Sequence, residues 1–247
     1  MIEQPTPADR SPRRKVRALL LWGATIVATA GVTALATAYV CIQQVPPFSK
    51  FERLVRKFQP SDPRKNVNWV ALSRINNPKP LRSAVTLTGD SNIQYGPWAD
   101  VLRQPVDNHG VAGDTTRGLL LRLREGETAG PTVGIMIGIN DVAAGISLEE
   151  TKANYRAILQ HFGNRRIVAI SPVVTTIRER NDRIVAIRDA ERELCAKVSN
   201  CTFVDISRAF EEHGVLRAAY NVDTVHLSWP AYQKLGSILE PVLFEKR

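Results

Sequence analysis

From position 84 onward the chain alternates short apolar runs with longer amphipathic stretches, and that alternation narrows the possible folds more than any other feature. The apolar runs are Ala84–Thr88, Val106–Asn108, Thr132–Ile137, Arg166–Ile170 and Thr202–Val204. Helical patterns separate or follow them at Gly96–Arg103, Thr115–Arg124, Leu148–Phe162, Arg180–Val198 and Trp229–Phe244. Strands that are apolar on both faces must be covered on both faces, and helices between successive strands supply the cover. The pattern predicts an α/β fold: a three-layer α/β/α sandwich around a central parallel five-stranded sheet.

In an open sheet of this kind, ligands bind outside the carboxyl ends of the strands. The residues with chemical potential fall at those ends. Ser91 follows the first strand in Gly89-Asp90-Ser91, Gly113 follows the second, and Asn140 follows the third. The loop Asp223-Thr224-Val225-His226 precedes the last helix. A serine on a strand-to-helix turn, with a histidine and an aspartate three residues apart elsewhere, is the minimum set for nucleophilic catalysis by a hydroxyl.

The net charge of +9 is unevenly placed. Residues 1–83 carry a balance of +10 and residues 84–247 a balance of −1, so the segment with the chemistry is nearly neutral. This argues against nucleic acid as a partner. Residues 18–42 contain no charged side chain, and a bilayer crossing takes about 20 apolar residues. The sequence therefore divides into a cytoplasmic tail (1–17), a single N-terminal transmembrane helix (18–42), a proline- and amide-rich juxtamembrane linker (43–83) and the catalytic domain (84–247). Arg10, Arg13, Arg14, Lys15 and Arg17 predict a cytoplasmic N-terminus, which puts the domain in the periplasm or outside the cell. Lys50, Arg53, Arg56 and Lys57 on the far side oppose that assignment. Ala36-Thr37-Ala38 resembles a cleavage site, but the apolar run is longer than a signal-peptide core. Within the linker, Phe48–Phe58 reads as a short basic amphipathic helix suited to anionic headgroups.

Cys195 and Cys201 lie six positions apart across a helix end and the start of a strand. In an oxidising compartment they suit a disulfide, and two buried free thiols are the other reading. His109, His161, His213 and His226 are scattered, and no Cys/His grouping has zinc spacing. The chain also lacks a Gly-x-Ser-x-Gly elbow, a phosphate-binding loop, a dinucleotide fingerprint and a His-Glu-x-x-His helix.

Four blocks in fixed order, Gly89-Asp90-Ser91, Asn108 to Thr115, Gly138-Ile139-Asn140-Asp141 and Asp223 to His226, make residues 84–243 resemble the SGNH hydrolases, also called the GDSL esterase/lipase family. The stretch Asn140–Leu159 resembles the branch with platelet-activating-factor acetylhydrolase-like and lysophospholipase-like members. The resemblance implies a flavodoxin-like fold, no cofactor and no metal. It implies Ser91 as nucleophile, His226 as general base and Asp223 as the group that orients it. It also implies three oxyanion donors: the Ser91 N–H, the Gly113 N–H and the Asn140 amide. Asp90, Asp114 and Asp141 read as structural turn residues. Asn92-Ile93-Gln94 and His109 depart from the family's usual residues, and they are expected to face the pocket and tune leaving-group choice.

The expected function is a membrane-anchored serine ester hydrolase acting on short-chain acyl esters of a glycan or lysophospholipid. An O-acyltransferase using the same triad is the alternative, differing only in whether water or a sugar hydroxyl meets the acyl-enzyme. A non-catalytic glycan-binding module would be expected to have lost part of the triad.

Overall fold

The computed structural model describes residues 62–65, 67–75 and 81–245. The anchor at 18–42 and the amphipathic stretch at 48–58 lie outside the described residues. Among the described residues no helix is long and apolar enough to cross a membrane.

Five strands form one parallel sheet in the order β2-β1-β3-β4-β5: β1 Val85–Gly89, β2 Asp107–Gly110, β3 Thr132–Met136, β4 Arg166–Ile170 and β5 Cys201–Val204. This is the flavodoxin-like order. The chain leaves β1 to one side to build β2, then returns to the other side to build β3, so the crevice at the end of β1 is a topological switch point. The helices are α1 Val67–Ile75, α2 Ser91–Gln94, α3 Trp98–Leu102, α4 Thr116–Arg124, α5 Ile139–Ala144, α6 Leu148–Phe162, α7 Arg178–Cys195, α8 Ser207–Phe210 and α9 Trp229–Leu243. A small antiparallel hairpin pairs Glu211–Glu212 with Val215–Leu216. Residues 67–75, which the sequence suggests are linker, are helical, and Trp69 within them is buried.

Successive side chains of a strand point to opposite faces, and the core follows that rule. Val168 and Ile170 of β4 join Val85 and Leu87 of β1 against Leu235, Leu239 and Leu243 of α9. Ile167 and Ala169 of β4 join Val133 and Ile135 of β3 against Leu119 and Leu123 of α4 and Tyr155, Ile158 and Phe162 of α6. These are two buried layers on either side of the sheet, as the three-layer reading requires. Side-chain caps set the helix starts: Ser147 accepts from the Glu150 N–H, and Thr115 accepts from the Gly118 N–H. The sulfurs of Cys195 and Cys201 are bonded, tying the end of α7 to the start of β5.

Several buried charged groups break the apolar pattern, and Glu191 is one of them. Glu191 of α7 is 1% exposed, and among the described residues neither carboxyl oxygen has a hydrogen-bond partner. Burial, reinforced by the charges of Asp141 and Asp90, pushes its carboxyl well above the usual range. Asp90 is raised in the same direction, to about 7, chiefly by burial. Both groups hold their proton more tightly in the folded chain than in the unfolded one, where Glu titrates near ~4.3 and Asp near ~3.9. Their neutral forms therefore stabilise the fold fully below those unfolded values, and that contribution is lost as pH rises through the folded ones. The melting temperature is expected to fall between pH 5 and pH 8. Glu191→Gln, which cannot ionise, should make that fall smaller. An identical fall in the variant, measured by calorimetry, would show that Glu191 is not linked to stability.

Candidate active site

The turn after β1 is shaped by a close backbone approach. Gly89 has φ +150°, and a Cβ there would lie 1.9 Å from the Met136 carbonyl oxygen at the end of β3. Only glycine fits. The Asp90 N–H donates to that same carbonyl at 3.3 Å, and the Asp90 carboxylate caps α2 by accepting from the Asn92 N–H at 2.9 Å. Ser91 becomes the first residue of α2, above the sheet edge, with its side chain turned towards the loop that precedes α9.

That loop supplies the partners. His226 Nε2 lies 3.0 Å from Ser91 Oγ, and His226 Nδ1 lies 2.6 Å from Asp223 Oδ2. The other Asp223 oxygen accepts from the backbone N–H groups of Val225 (3.2 Å) and His226 (3.0 Å). Partial burial raises the Asp223 carboxyl, but the hydrogen bonds from the His226 ring and from these two amides outweigh it and hold the group below its ordinary value. An ionised Asp223 fixes Nδ1 as the protonated nitrogen and leaves Nε2 free to accept from a hydroxyl. The loop is anchored by backbone contacts: the Thr176 N–H donates to the Thr224 carbonyl at 3.0 Å, and the Val222 N–H to the His226 carbonyl at 3.0 Å. Thr224 has φ 103°, a conformation that costs a β-branched residue of order 1–3 kcal/mol.

Gly113 and Asn140 lie beyond the ends of β2 and β3, the two strands that flank β1. Gly113 has φ +76°, and a Cβ there would meet nothing within 4 Å, so its backbone faces open space. Among the described residues, neither the Ser91 N–H nor the Gly113 N–H has a hydrogen-bond acceptor. Asn140 Nδ2 donates one hydrogen to the Asp114 carbonyl at 2.9 Å, which orients the amide and leaves its second hydrogen available.

The three aspartates beside these residues are buried scaffolding. Asp141 accepts from the Thr116 N–H (2.8 Å), Thr116 Oγ1 (2.5 Å) and Thr151 Oγ1 (2.8 Å). Asp114 is held by Trp69, Thr115 and Arg122, and burial raises its carboxyl to about 6 against the opposing charge of Arg122. Asn92, Ile93 and His109, expected to face the pocket, are fully buried instead. Asn92 accepts from the Leu227 N–H and the Tyr232 hydroxyl, while His109, within β2, sits 3.5 Å from Glu127 Oε1. The four-residue α2 turns its second and third residues inward, so they support the site from below. Gln94 accepts from the Ala112 N–H at 2.5 Å and so pins the loop that carries Gly113.

Sequence reasoning missed Trp69, Tyr95 and Arg122. Tyr95 places its ring edge-on to the His226 imidazole, centroids 5.3 Å apart, and remains 54% exposed. Its spacing four residues after Ser91 was the one signal available, since α2 ends between them. For Trp69 and Arg122 the sequence held no comparable signal.

The comparisons with known proteins bear on the fold and the family. No curated protein matches the chain closely enough in sequence to count as a relative. Solved structures similar to it include a Streptococcus pneumonia protein described under the name platelet activating factor, with 22% identity, TM-score 0.66, and 79% of this chain and 99% of that one covered. A GDSL-like lipase from Bacteroides thetaiotaomicron is similar at 19% identity and TM-score 0.58, covering 71% of this chain and 97% of the other. A lipase/acylhydrolase from Enterococcus faecalis is similar at 22% identity and TM-score 0.56, covering 66% and 98%. At these identities the structures speak to the fold alone. A sequence model of the GDSL-like Lipase/Acylhydrolase family, however, matches residues 84–234, more than half of the chain. That span opens with β1 and extends past His226, and with it the chain belongs to the GDSL-like lipase/acylhydrolase family and is an esterase-type hydrolase.

Proposed function

We propose that the chain hydrolyses short-chain acyl esters through an acyl-enzyme on Ser91, with His226 as general base and acid and Asp223 as its orienting partner. The observation that carries this reading is the continuous hydrogen-bond path from Ser91 Oγ to His226 Nε2 (3.0 Å) and from His226 Nδ1 to Asp223 Oδ2 (2.6 Å). Ser91 Oγ attacks the carbonyl carbon as its proton passes to Nε2. The carbonyl oxygen becomes an oxyanion, held by the Ser91 and Gly113 N–H groups and by the free hydrogen of Asn140 Nδ2. Collapse breaks the ester C–O bond, and the departing alcohol takes the proton from Nε2. Water then attacks the acyl-enzyme, gives a proton to Nε2, and the second collapse returns that proton to Ser91 Oγ and releases the carboxylic acid.

The openness of the site supports a bulky alcohol with a small acyl group. The His226 and Asp223 side chains are 31% and 49% exposed. Connections at the strand ends are short, from the single residue Asp90 between β1 and α2 to residues 171–177 between β4 and α7. Only the stretch after β5 is longer, and it carries α8, the hairpin and the His226 loop itself. None of these is a lid over the site. Acylated envelope glycans have this shape, and the uncharged run at 18–42 would tether the enzyme beside them. Water can approach the acyl-enzyme from the open side of the His226–Asp223 loop, which favours hydrolysis over transfer to a bound sugar.

Ser91→Ala should lower turnover of p-nitrophenyl acetate by at least about 10⁴-fold with an unchanged circular dichroism spectrum. A fluorophosphonate adduct should map to Ser91. Undiminished turnover in that variant would reassign the nucleophile. Asp223→Asn should cost about 10³–10⁴-fold, through the loss of the correct imidazole tautomer. Asn140→Ala should lower kcat by about 10²–10³-fold with little change in KM, and an equal loss through KM alone would remove it from oxyanion binding. With an acetylated glycan, acetate released without any acceptor marks a hydrolase, and turnover that needs an acceptor marks a transferase.

A further inference from the structure

Helix α1 precedes the strand–helix pattern, yet its indole reaches the loop that carries Gly113. Trp69 is 6% exposed, and its Nε1–H donates to Asp114 Oδ1 at 2.9 Å. The same carboxylate accepts the Thr115 N–H at 3.0 Å, and its other oxygen accepts Arg122 Nε and Nη2 at 3.0 and 2.9 Å. The fit leaves no slack. A Cβ on Gly118 would lie 1.9 Å from Asp114 Oδ1 and 3.1 Å from Trp69 Nε1, so a glycine in the first turn of α4 is what lets the pair approach.

Asp114 is joined to two of the three oxyanion donors assigned above. It follows Gly113 directly in the chain, and its own carbonyl accepts the Asn140 Nδ2–H at 2.9 Å. We propose that Trp69 is a positioning residue for ester hydrolysis: its indole N–H fixes the Asp114 carboxylate and, through that residue, the aim of the Gly113 N–H and the Asn140 amide. The proposal rests on the acyl-enzyme reading above. It makes α1 a working part of the site's scaffold, although 67–75 belongs by sequence to the stretch between the proposed anchor and the domain.

An indole that merely filled space could be replaced by another ring, whereas one that donates a hydrogen bond could not. Without the donor, a buried carboxylate loses one of the contacts that stabilise its charge, so Asp114 takes up a proton at a higher pH than before. The loop then changes its hydrogen bonding within the working range of the enzyme, and the acid limb of the rate profile moves upward.

The test uses the full-length chain with Trp69→Phe and Trp69→His, reading kcat, KM and pH dependence on p-nitrophenyl acetate beside fluorophosphonate labelling of Ser91. Trp69→Phe should lower kcat about tenfold while KM stays within about twofold, because a displaced oxyanion donor acts in the transition state. Its acid limb should lie at higher pH. Trp69→His, which packs less well but retains an N–H, should turn over faster than Trp69→Phe. If Trp69→Phe melts below the assay temperature, benzothienylalanine at position 69 keeps the indole's shape without its N–H and serves the same comparison. Wild-type kcat and pH profile in the donor-free variant, or Trp69→Phe outperforming Trp69→His, overturns the proposal. Failure of the wild-type chain to label at Ser91 would instead remove the acyl-enzyme reading on which it rests.

Discussion

Where β1 ends, the backbone passes so close to the last carbonyl of β3 that no side chain fits at Gly89. The contact does two things at once. It satisfies the Met136 carbonyl with the Asp90 N–H, and it turns the chain sharply enough that Ser91 starts a helix instead of extending the strand. The switch point of the sheet supplies the room. β2 and β3 leave β1 on opposite sides, so loops from both flank the hydroxyl, one with Gly113 and one with Asn140. The position of every other group in the site is set relative to that turn.

Holding the turn and its neighbours requires buried charge. Arg122 lies between Asp114 and Glu127, all three almost wholly enclosed, with Thr88 and His109 at the margin. Taking such groups out of water costs several kcal/mol each, and their mutual attraction offsets this only where the geometry is good. The core would be easier to build from aliphatic residues. What the network supplies is direction: a carboxylate with several donors fixes its own backbone, and the Asp114 backbone carries both Gly113 and the acceptor of Asn140. Removing Arg122 would leave two buried carboxylates without their counter-charge, so the cluster depends on that one guanidinium.

Much of this was legible in the sequence because it depends on periodicity. All five strands fall within a residue or two of the apolar runs, and α6 spans the residues its pattern defines. Four short blocks were enough to bring Ser91, Asp223 and His226 forward as one unit. The failures have physical causes. A four-residue helix such as α2 has no full period to read, so Asn92 and Ile93 were expected in the pocket when they point into the core. β2 is polar in composition, Asp107 to Gly110, and nothing in its pattern marks His109 as buried. Gly138 and Gly145, both at positive φ, bracket the short α5, which is too short to show a period in the sequence. The contact between Trp69 and Asp114 joins positions 45 apart through one hydrogen bond, and no local pattern encodes that.

The two halves of the hydrogen-bond path from Ser91 to Asp223 are built on different principles. Ser91 is 4% exposed and fixed from below by the sheet, by Asp90 and by the packing of Ile93 and Asn92. Asp223 and His226 sit on a loop open to solvent, where packing cannot hold them, so backbone hydrogen bonds must do so. Thr224 between them accepts an unfavourable φ, which persists only because Asn221 and Thr176 bond its amide and carbonyl. The strain is the cost of pointing both side chains inward from a span of four residues. The His226 ring meets Tyr95 edge-on, with centroids 5.3 Å apart, while the loop beside it stays open to solvent.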